Sequence, residues 1–237
     1  DNIFVEDRNL QLYTETFTGY EPEKAWHQWS IVQKEKCPDI WVDDNCNHAS
    51  PGWQKYHFNT IQDAIDTATE GLIIKVLNGI YNEKLIIDVP INLIGNGSDT
   101  TIINQKNPAS ESSLILIEAD SVKISGFEIN GNPNLETIIY SRKDNINISN
   151  NVLIFPYSGD SFKEIYFIDF RSSLGCIILN NTFEGEVSNM GACCIQFYSC
   201  IQSVIKNNKF IDVPVSVYLY LCTHIDVINN IMKNDMM

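Results

Sequence analysis

The chain has 237 residues and sets 16 Lys and Arg against 30 Asp and Glu, a formal net charge of −14 at pH 7. That length suits one large domain or two small ones, and 44% hydrophobic residues with only 19% charged ones exclude a disordered acidic tail and a coiled coil. No stretch nears the roughly 18 uninterrupted apolar residues of a membrane span, an acidic chain without a Lys/Arg run is unsuited to nucleic acid, and polyanionic glycans are disfavoured unless a basic spot or bound cation reverses the field.

The sequence starts at Asp1 with no initiator Met, which reads as a processed or trimmed product. Residues 1–39 alternate weakly in LQLYTETFTGY and supply two tryptophans in AWHQWSIVQ; they are expected as an irregular segment, packed on the first strands after residue 40 or left from a preceding domain. Cys37 and Cys46 flank IWVDD (40–44) and are the expected disulfide. Seven cysteines without a CxxC pair do not form a zinc framework. Asp43, Asp44 and Asn45 could hold Ca²⁺, but an Asp-Asp-Asn turn is the commoner meaning, and the four histidines are scattered. No metal and no cofactor is expected.

HFNTIQDAIDTATEG (57–71) reads as one short amphipathic helix over about 60–70. Thr60 and Asp63 stand near capping-box spacing, Ile61, Ala64, Ile65 and Ala68 share a face, and Gly71 ends it. Three short apolar strands come next, broken at Asn78-Gly79, Pro90 and Gly95-Asn96-Gly97. A helix at that point can cover the open end of a stack of strands.

From residue 121 onward one motif recurs: apolar, any, apolar, any, Asn-Asn, any, apolar. It stands in NINISNNVL (145–153), GCIILNNTF (175–183), SVIKNNKF (203–210) and IDVINNIM (225–232), with a degenerate copy, SVKISGFEI (121–129), that has Gly126 in place of the first Asn. Repeats every two dozen residues mark a solenoid. Apolar residues recur with period two, at Ile124, Ile148, Ile178, Ile205 and Val227 and again at Ile129, Leu153, Phe183, Phe210 and Met232, so the repeats are strands. A second alternating run precedes each motif and places Leu114/Leu116, Ile138/Tyr140, Ile168/Phe170, Ile195/Phe197 and Val217/Leu219 inward. The fold class is therefore all-β, a parallel β-helix of about six coils with an N-terminal capping α-helix. The first Asn of each pair (Asn150, Asn180, Asn207, Asn229) is expected to form a buried ladder inside a turn.

IWVDD, PGWQKYHFNTIQDAIDTA (51–68), VLNGIYNEKLIID (76–88), INLIGNGSDTTII (91–103) and ISGFEI (124–129) closely resemble secreted right-handed parallel β-helix proteins of the pectin-lyase-like superfamily. The nearest type is the NosD-like repeat proteins of archaeal and some bacterial cell surfaces. The resemblance covers roughly residues 40–235 and implies a right-handed coil and an extracellular or cell-surface location. It implies function only weakly, because such coils host lyases, hydrolases, epimerases, adhesins and stalks. Copper, which NosD evokes, has no His/Met/Cys cluster to hold it.

With the inward ladder set in this way, the outward residues are Ile115/Ile117, Ile139/Ser141, Asp169/Arg171, Gln196/Tyr198 and Tyr218/Tyr220. They end in an aromatic and polar stripe where pyranose faces could lie on tyrosine rings and hydroxyls on Asp169, Arg171 and Gln196. The expected role is a scaffold that binds carbohydrate there. The alternative is a polysaccharide lyase or glycoside hydrolase using Asp169 and Arg171, although a hydrolase needs a second carboxylate and a lyase a neutralising cation. Asn96, Asn147 and Asn180 begin Asn-x-Ser/Thr triplets that an exported protein could glycosylate. Cys176 and Cys193 are expected in the core, and Cys200 and Cys222 in stacked positions. The coil 222–237 is expected to meet a continuation of the chain or a second protomer.

Overall fold

A computed structural model describes residues 40–105, 112–132, 134–155, 165–185 and 192–233. The segment 1–39, including Cys37, lies outside the described residues, as do residues 234–237 of the final coil. From Ile40 onward the chain is a right-handed parallel β-helix: three sheets of nine, seven and six strands among the described residues, in which strands from Ile73 onward stack on their equivalents one coil away, while His57–Phe58 and Ile40–Val42 open the nine-stranded sheet out of chain order. Each coil carries three strands where alternation alone required two. In one coil these are Asn147–Ser149, Val152–Ile154 and Ile165–Arg171.

The inward residues form continuous stacks because equivalent positions pair in register. In the nine-stranded sheet Ile74, Leu93, Ile124, Ile148, Ile178, Ile205 and Val227 succeed one another. In the seven-stranded sheet the sequence is Tyr81, Ile103, Ile129, Leu153, Phe183, Phe210 and Met232. The Ile124 and Ile129 ladders are those the repeat prescribes. Each fully buried Ile or Phe contributes about 1.5–3 kcal/mol through removal from water, and like rings stack on like: Phe183 and Phe210 lie 5.0 Å apart and nearly parallel. In the last described coil the equivalent positions Leu219, Val227 and Met232 are exposed.

The paired asparagines divide their work differently from the expectation. Asn150, Asn180, Asn207 and Asn229 have φ of 56°, 56°, 57° and 53°, the left-handed conformation that turns the chain between two strands, and Asn tolerates it better than most residues. Their side chains are not buried, with one surface hydrogen bond from Asn180 Nδ2 to Asn150 Oδ1 at 3.3 Å. The buried ladder belongs to the second Asn of each pair. Asn208 Oδ1 accepts from the Asn181 backbone N–H at 2.9 Å and from Asn181 Nδ2 at 3.1 Å, while Asn208 Nδ2 donates to the Ile178 carbonyl at 3.0 Å. Asn181 treats Asn151 and Ile148 in the same way. Period two explains the exchange: the residue in the turn faces solvent, and the next one turns inward. In the degenerate copy Gly126 holds the left-handed turn, with φ 79°; its missing side chain also admits Gly95 of the preceding coil, whose carbonyl oxygen would lie 2.7 Å from a Cβ.

The helix Ile61–Thr67 starts where Thr60 Oγ1 accepts the Asp63 N–H at 3.3 Å and is capped at its C-terminus by Ala68, so it ends before Gly71. Glu83 adds a cap from a distant part of the chain, its two carboxylate oxygens accepting the Ile61 and Gln62 N–H groups at 2.9 Å each. Ile61, Ala64 and Ile65 join the core. From the same helix Gln62 lays its amide along Leu85–Ile87, the edge strand of the six-stranded sheet: its Oε1 accepts the Ile86 N–H at 2.8 Å and its Nε2 donates to the Ile86 carbonyl at 3.1 Å. A side-chain amide thereby occupies the pairing groups through which an open edge would recruit another strand.

The division of labour in the pairs gives an unequal mutational cost. Asn208→Ala should destabilise by about 1–3 kcal/mol, because buried donors of Asn181 lose their acceptor, whereas Asn207→Gly should stay within about 0.5 kcal/mol of the parent. Urea unfolding of the two variants checks this; equal losses would mean that the inner ladder carries no special weight.

Candidate functional site

The six-stranded sheet carries the expected stripe, but its phase in the early coils differs from the sequence reading. Ile115 and Ile117 pair with Ile139 and Ser141, and these pair in turn with Ile168 and Phe170. All six are fully buried or nearly so; Ile115, Ile117, Ile139 and Ser141 are therefore inward, and Leu116 and Tyr140 occupy the outward stack. The cause is a local break in alternation. Leu114 and Ile115, Ile138 and Ile139, Phe167 and Ile168, and Cys194 and Ile195 are consecutive and all fully buried, and the paired register passes from Thr137 to Ile139 without Ile138. A phase counted from Leu114 or Ile138 is thus wrong by one residue beyond that point. The doubled apolar residue in these four coils was the available signal, and it recovers Tyr140.

From Asp169 onward the stripe stands where expected. Asp169 pairs in register with Gln196 and then Tyr218, and Arg171 with Tyr198 and then Tyr220. The three tyrosines are 41%, 47% and 45% exposed for Tyr198, Tyr218 and Tyr220. Tyr198 and Tyr220 have centroids 5.1 Å apart at 30°, and Tyr218 and Tyr220 are 6.5 Å apart and within 5° of parallel. Three rings thus make one continuous aromatic patch over two coils.

Asp169 is only 2% exposed and Gln196 only 7%, so both are covered from solvent although their column ends in the exposed Tyr218. Asp169 accepts from Arg171 Nε at 3.0 Å and Nη2 at 2.8 Å through Oδ2, and from Gln196 Nε2 at 3.1 Å through Oδ1. The hydrogen-bonded carboxylate holds the Arg171 pKa above its ordinary value against an opposing effect of burial. Arg171 also lies over the Tyr140 ring, 5.8 Å from its centroid, and Arg142 Nε donates to the Tyr140 hydroxyl at 2.7 Å. Charge-assisted and mutually braced, these side chains form a rigid polar floor. A carboxylate engaged at both oxygens and covered from solvent is poorly placed to take a proton from a substrate, and no second carboxylate stands in register with it on the two coils that carry the tyrosines.

The remaining candidate positions are dispersed. Cys176 is in the core and Cys193 is buried as expected, at 7% exposure, but the contiguous core cluster takes in Cys194 rather than Cys193. Cys200 and Cys222 are free thiols, each donating to a carbonyl of the preceding coil, Phe170 and Phe197, at 3.2 Å. Cys46 is also free, and its expected partner Cys37 is outside the described residues. Asp43 and Asp44 accept from Asn45 as a turn would, and among the described residues no three His, Cys, Asp or Glu side chains gather to hold a metal. Asn96 and Asn180 are exposed in turns, whereas Asn147 sits on a strand, partly covered, with its Oδ1 buried.

Burial pushes the thiols of Cys176 and Cys193 from 9.0 up to about 12, so neither is an activated nucleophile. The unfolded chain deprotonates first as pH rises. The stability conferred by neutral thiols is therefore complete below pH 9 and is lost progressively towards pH 12. A chain carrying Cys176→Ala and Cys193→Ala should lose less stability than the parent across that window in urea melts at stepped pH; parallel losses would contradict the assignment.

No protein-family model matches the chain. Over 79 residues it is 43% identical to a protein described as a cell surface glycoprotein of Methanothermus fervidus, a match that covers 32% of this chain and only 13% of that protein's length. Among solved structures it is similar to the pectin methylesterase of Aspergillus niger, with 13% identity and a TM-score of 0.43 over 84% of this chain and 87% of that one. It is also similar to the rice weevil pectin methylesterase, with 12% identity and a TM-score of 0.43 over 88% and 92%. Among the described residues no helix is long and apolar enough to cross a membrane.

Proposed function

We propose that this chain is an extracellular or cell-surface β-helix scaffold, of the NosD-like repeat type, that binds carbohydrate on the outer face of its six-stranded sheet. The observation that carries this reading is the patch of Tyr198, Tyr218 and Tyr220, each more than 40% exposed and stacked ring to ring beside the Asp169–Arg171–Gln196 floor. Large aromatic rings exposed in a group on one face mark a binding surface more than a folding requirement. Rings about 5 Å apart along the coil axis offer a pyranose chain successive apolar platforms, with the tyrosine hydroxyls at the rim as hydrogen-bonding groups.

The scaffold part of the reading is supported by the uniform inward stacks. The exposed inward positions Leu219, Val227 and Met232 are where a further coil or a second protomer would stack over residues 222–237. The lyase or hydrolase alternative draws on the same Asp169 and Arg171, and their closed pairing favours binding over chemistry.

A glycan array probed with the wild-type chain should give binding to one or more oligosaccharide classes. The combined Tyr198→Ala and Tyr220→Ala substitutions should weaken it at least about fivefold, the loss of two stacking contacts worth roughly 0.5–1.5 kcal/mol each. Binding that survives both substitutions would remove this face from the reading. Release of reducing ends from the bound glycan would instead establish the enzymatic alternative.

A further inference from the structure

The carbohydrate face has a charge arrangement that selects among glycans. Arg171, in register with Tyr198, is partly exposed and ion-paired to Asp169 at 2.8 Å. The contact uses the Nε and Nη2 edge of the guanidinium, which leaves Nη1 as a donor to a ligand. Asp169 cannot be drawn away to the solvent, because Gln196 and burial hold it in place. The pair therefore presents a hydrogen-bond donor with almost no net charge. In the next two coils the described residues of the face are Gln196, Tyr198, Tyr218 and Tyr220, which bring no carboxylate, ammonium or guanidinium to it. Two coils before Tyr198, Arg142 is held to the Tyr140 hydroxyl through Nε at 2.7 Å. Around this face the whole chain carries −14, a field that repels polyanions at low salt.

We propose that Asp169 is the specificity-determining residue of this face: by cancelling the charge of Arg171 it tunes the tyrosine patch to uncharged glycans and against uronates. A hydroxyl or acetamido oxygen can accept from Arg171 Nη1 without meeting a second charge. A uronate carboxylate at the same position gains from Arg171 but is repelled by Asp169 directly beneath, and the two effects offset each other. Polyuronates then retain only the stacking that neutral chains also obtain, minus the repulsion of the acidic protein. Asp169 acts through Arg171 and is a positioning residue rather than a ligand-contacting one.

The proposal rests on the carbohydrate reading of the tyrosine patch, and its test separates the two. Hexasaccharides of neutral sugars (β-glucan, xylan, mannan, chitin) and of uronates (galacturonate, mannuronate, glucuronate) are titrated calorimetrically into the wild-type chain at low and high salt. The wild type should bind at least one neutral series about tenfold more tightly than any uronate, a difference of about 1.4 kcal/mol. Asp169→Asn keeps the shape and the Gln196 contact but leaves Arg171 uncompensated; it should strengthen uronate binding about fivefold at low salt, lose that gain at high salt, and leave neutral binding within a factor of two. The double change Asp169→Asn with Arg171→Gln should abolish the gain. Uronates bound by the wild type as tightly as neutral glycans, or an unchanged ratio in folded Asp169→Asn, would overturn this proposal and leave the carbohydrate reading intact; no glycan binding at all would overturn both. If Asp169→Asn does not fold, the wild-type ratio alone decides.

Discussion

A parallel β-helix stands or falls on register, since every coil must place its inward residues on those of the coil before. In this chain the register is held at one corner by the inner asparagines. Asn151, Asn181, Asn208 and Asn230 pass hydrogen bonds from coil to coil through side-chain amides and backbone N–H groups, with the first three at about 1% exposure. A slip of one residue would bring Asn150 or Asn180 inward, leave buried amides without partners, and reverse the faces of the strands on both sides. The outer asparagines supply the left-handed turn and the inner ones the lock. Hydrophobic stacking alone tolerates many alignments; paired amides in a dry corner tolerate one.

That lock carries through to the surface, because each coil closes through three strands and a fixed corner fixes the other two. The Asp169, Gln196, Tyr218 column and the Arg171, Tyr198, Tyr220 column exist only in the register that the asparagines enforce. Beside the rings, the paired and hydrogen-bonded Asp169 keeps the polar part of the face rigid and nearly without net charge, so the ligand proposed for it would lose little entropy in ordering the surface. The end of the stack is protected by an equally local device, the Gln62 amide on Ile86.

Much of this was legible in the residues. The apolar ladders through Ile124 and Ile129, the capping helix at Thr60, and the late-coil columns from Asp169 to Tyr220 come from period two and the spacing of Asn-Asn. Three features were not, for physical reasons. Within Asn-Asn, composition cannot say which residue is turned inward; that depends on where the left-handed residue falls, a backbone property that both asparagines tolerate. In the first coils, two successive buried residues break the alternation, so counting from Leu114 or Ile138 reversed inside and outside and hid Tyr140. The same break brings Cys194 rather than Cys193 into the contiguous core cluster. The closure of Asp169 by Gln196 joins residues 27 positions apart, and it emerges only once adjacent coils are superposed.

The central claim is that the inner asparagines fix the coil register. Hydrogen exchange followed by NMR, residue by residue on the native chain, tests it most directly. The backbone amides of Asn151, Asn181 and Asn208, which donate to asparagine side chains at 3.0, 2.9 and 2.9 Å, should exchange as slowly as those of the central strand residues. Asn208→Ala should release the Asn181 amide first. Fast exchange at these three amides while the strands remain protected, or an Asn181 amide indifferent to Asn208→Ala, would contradict the account.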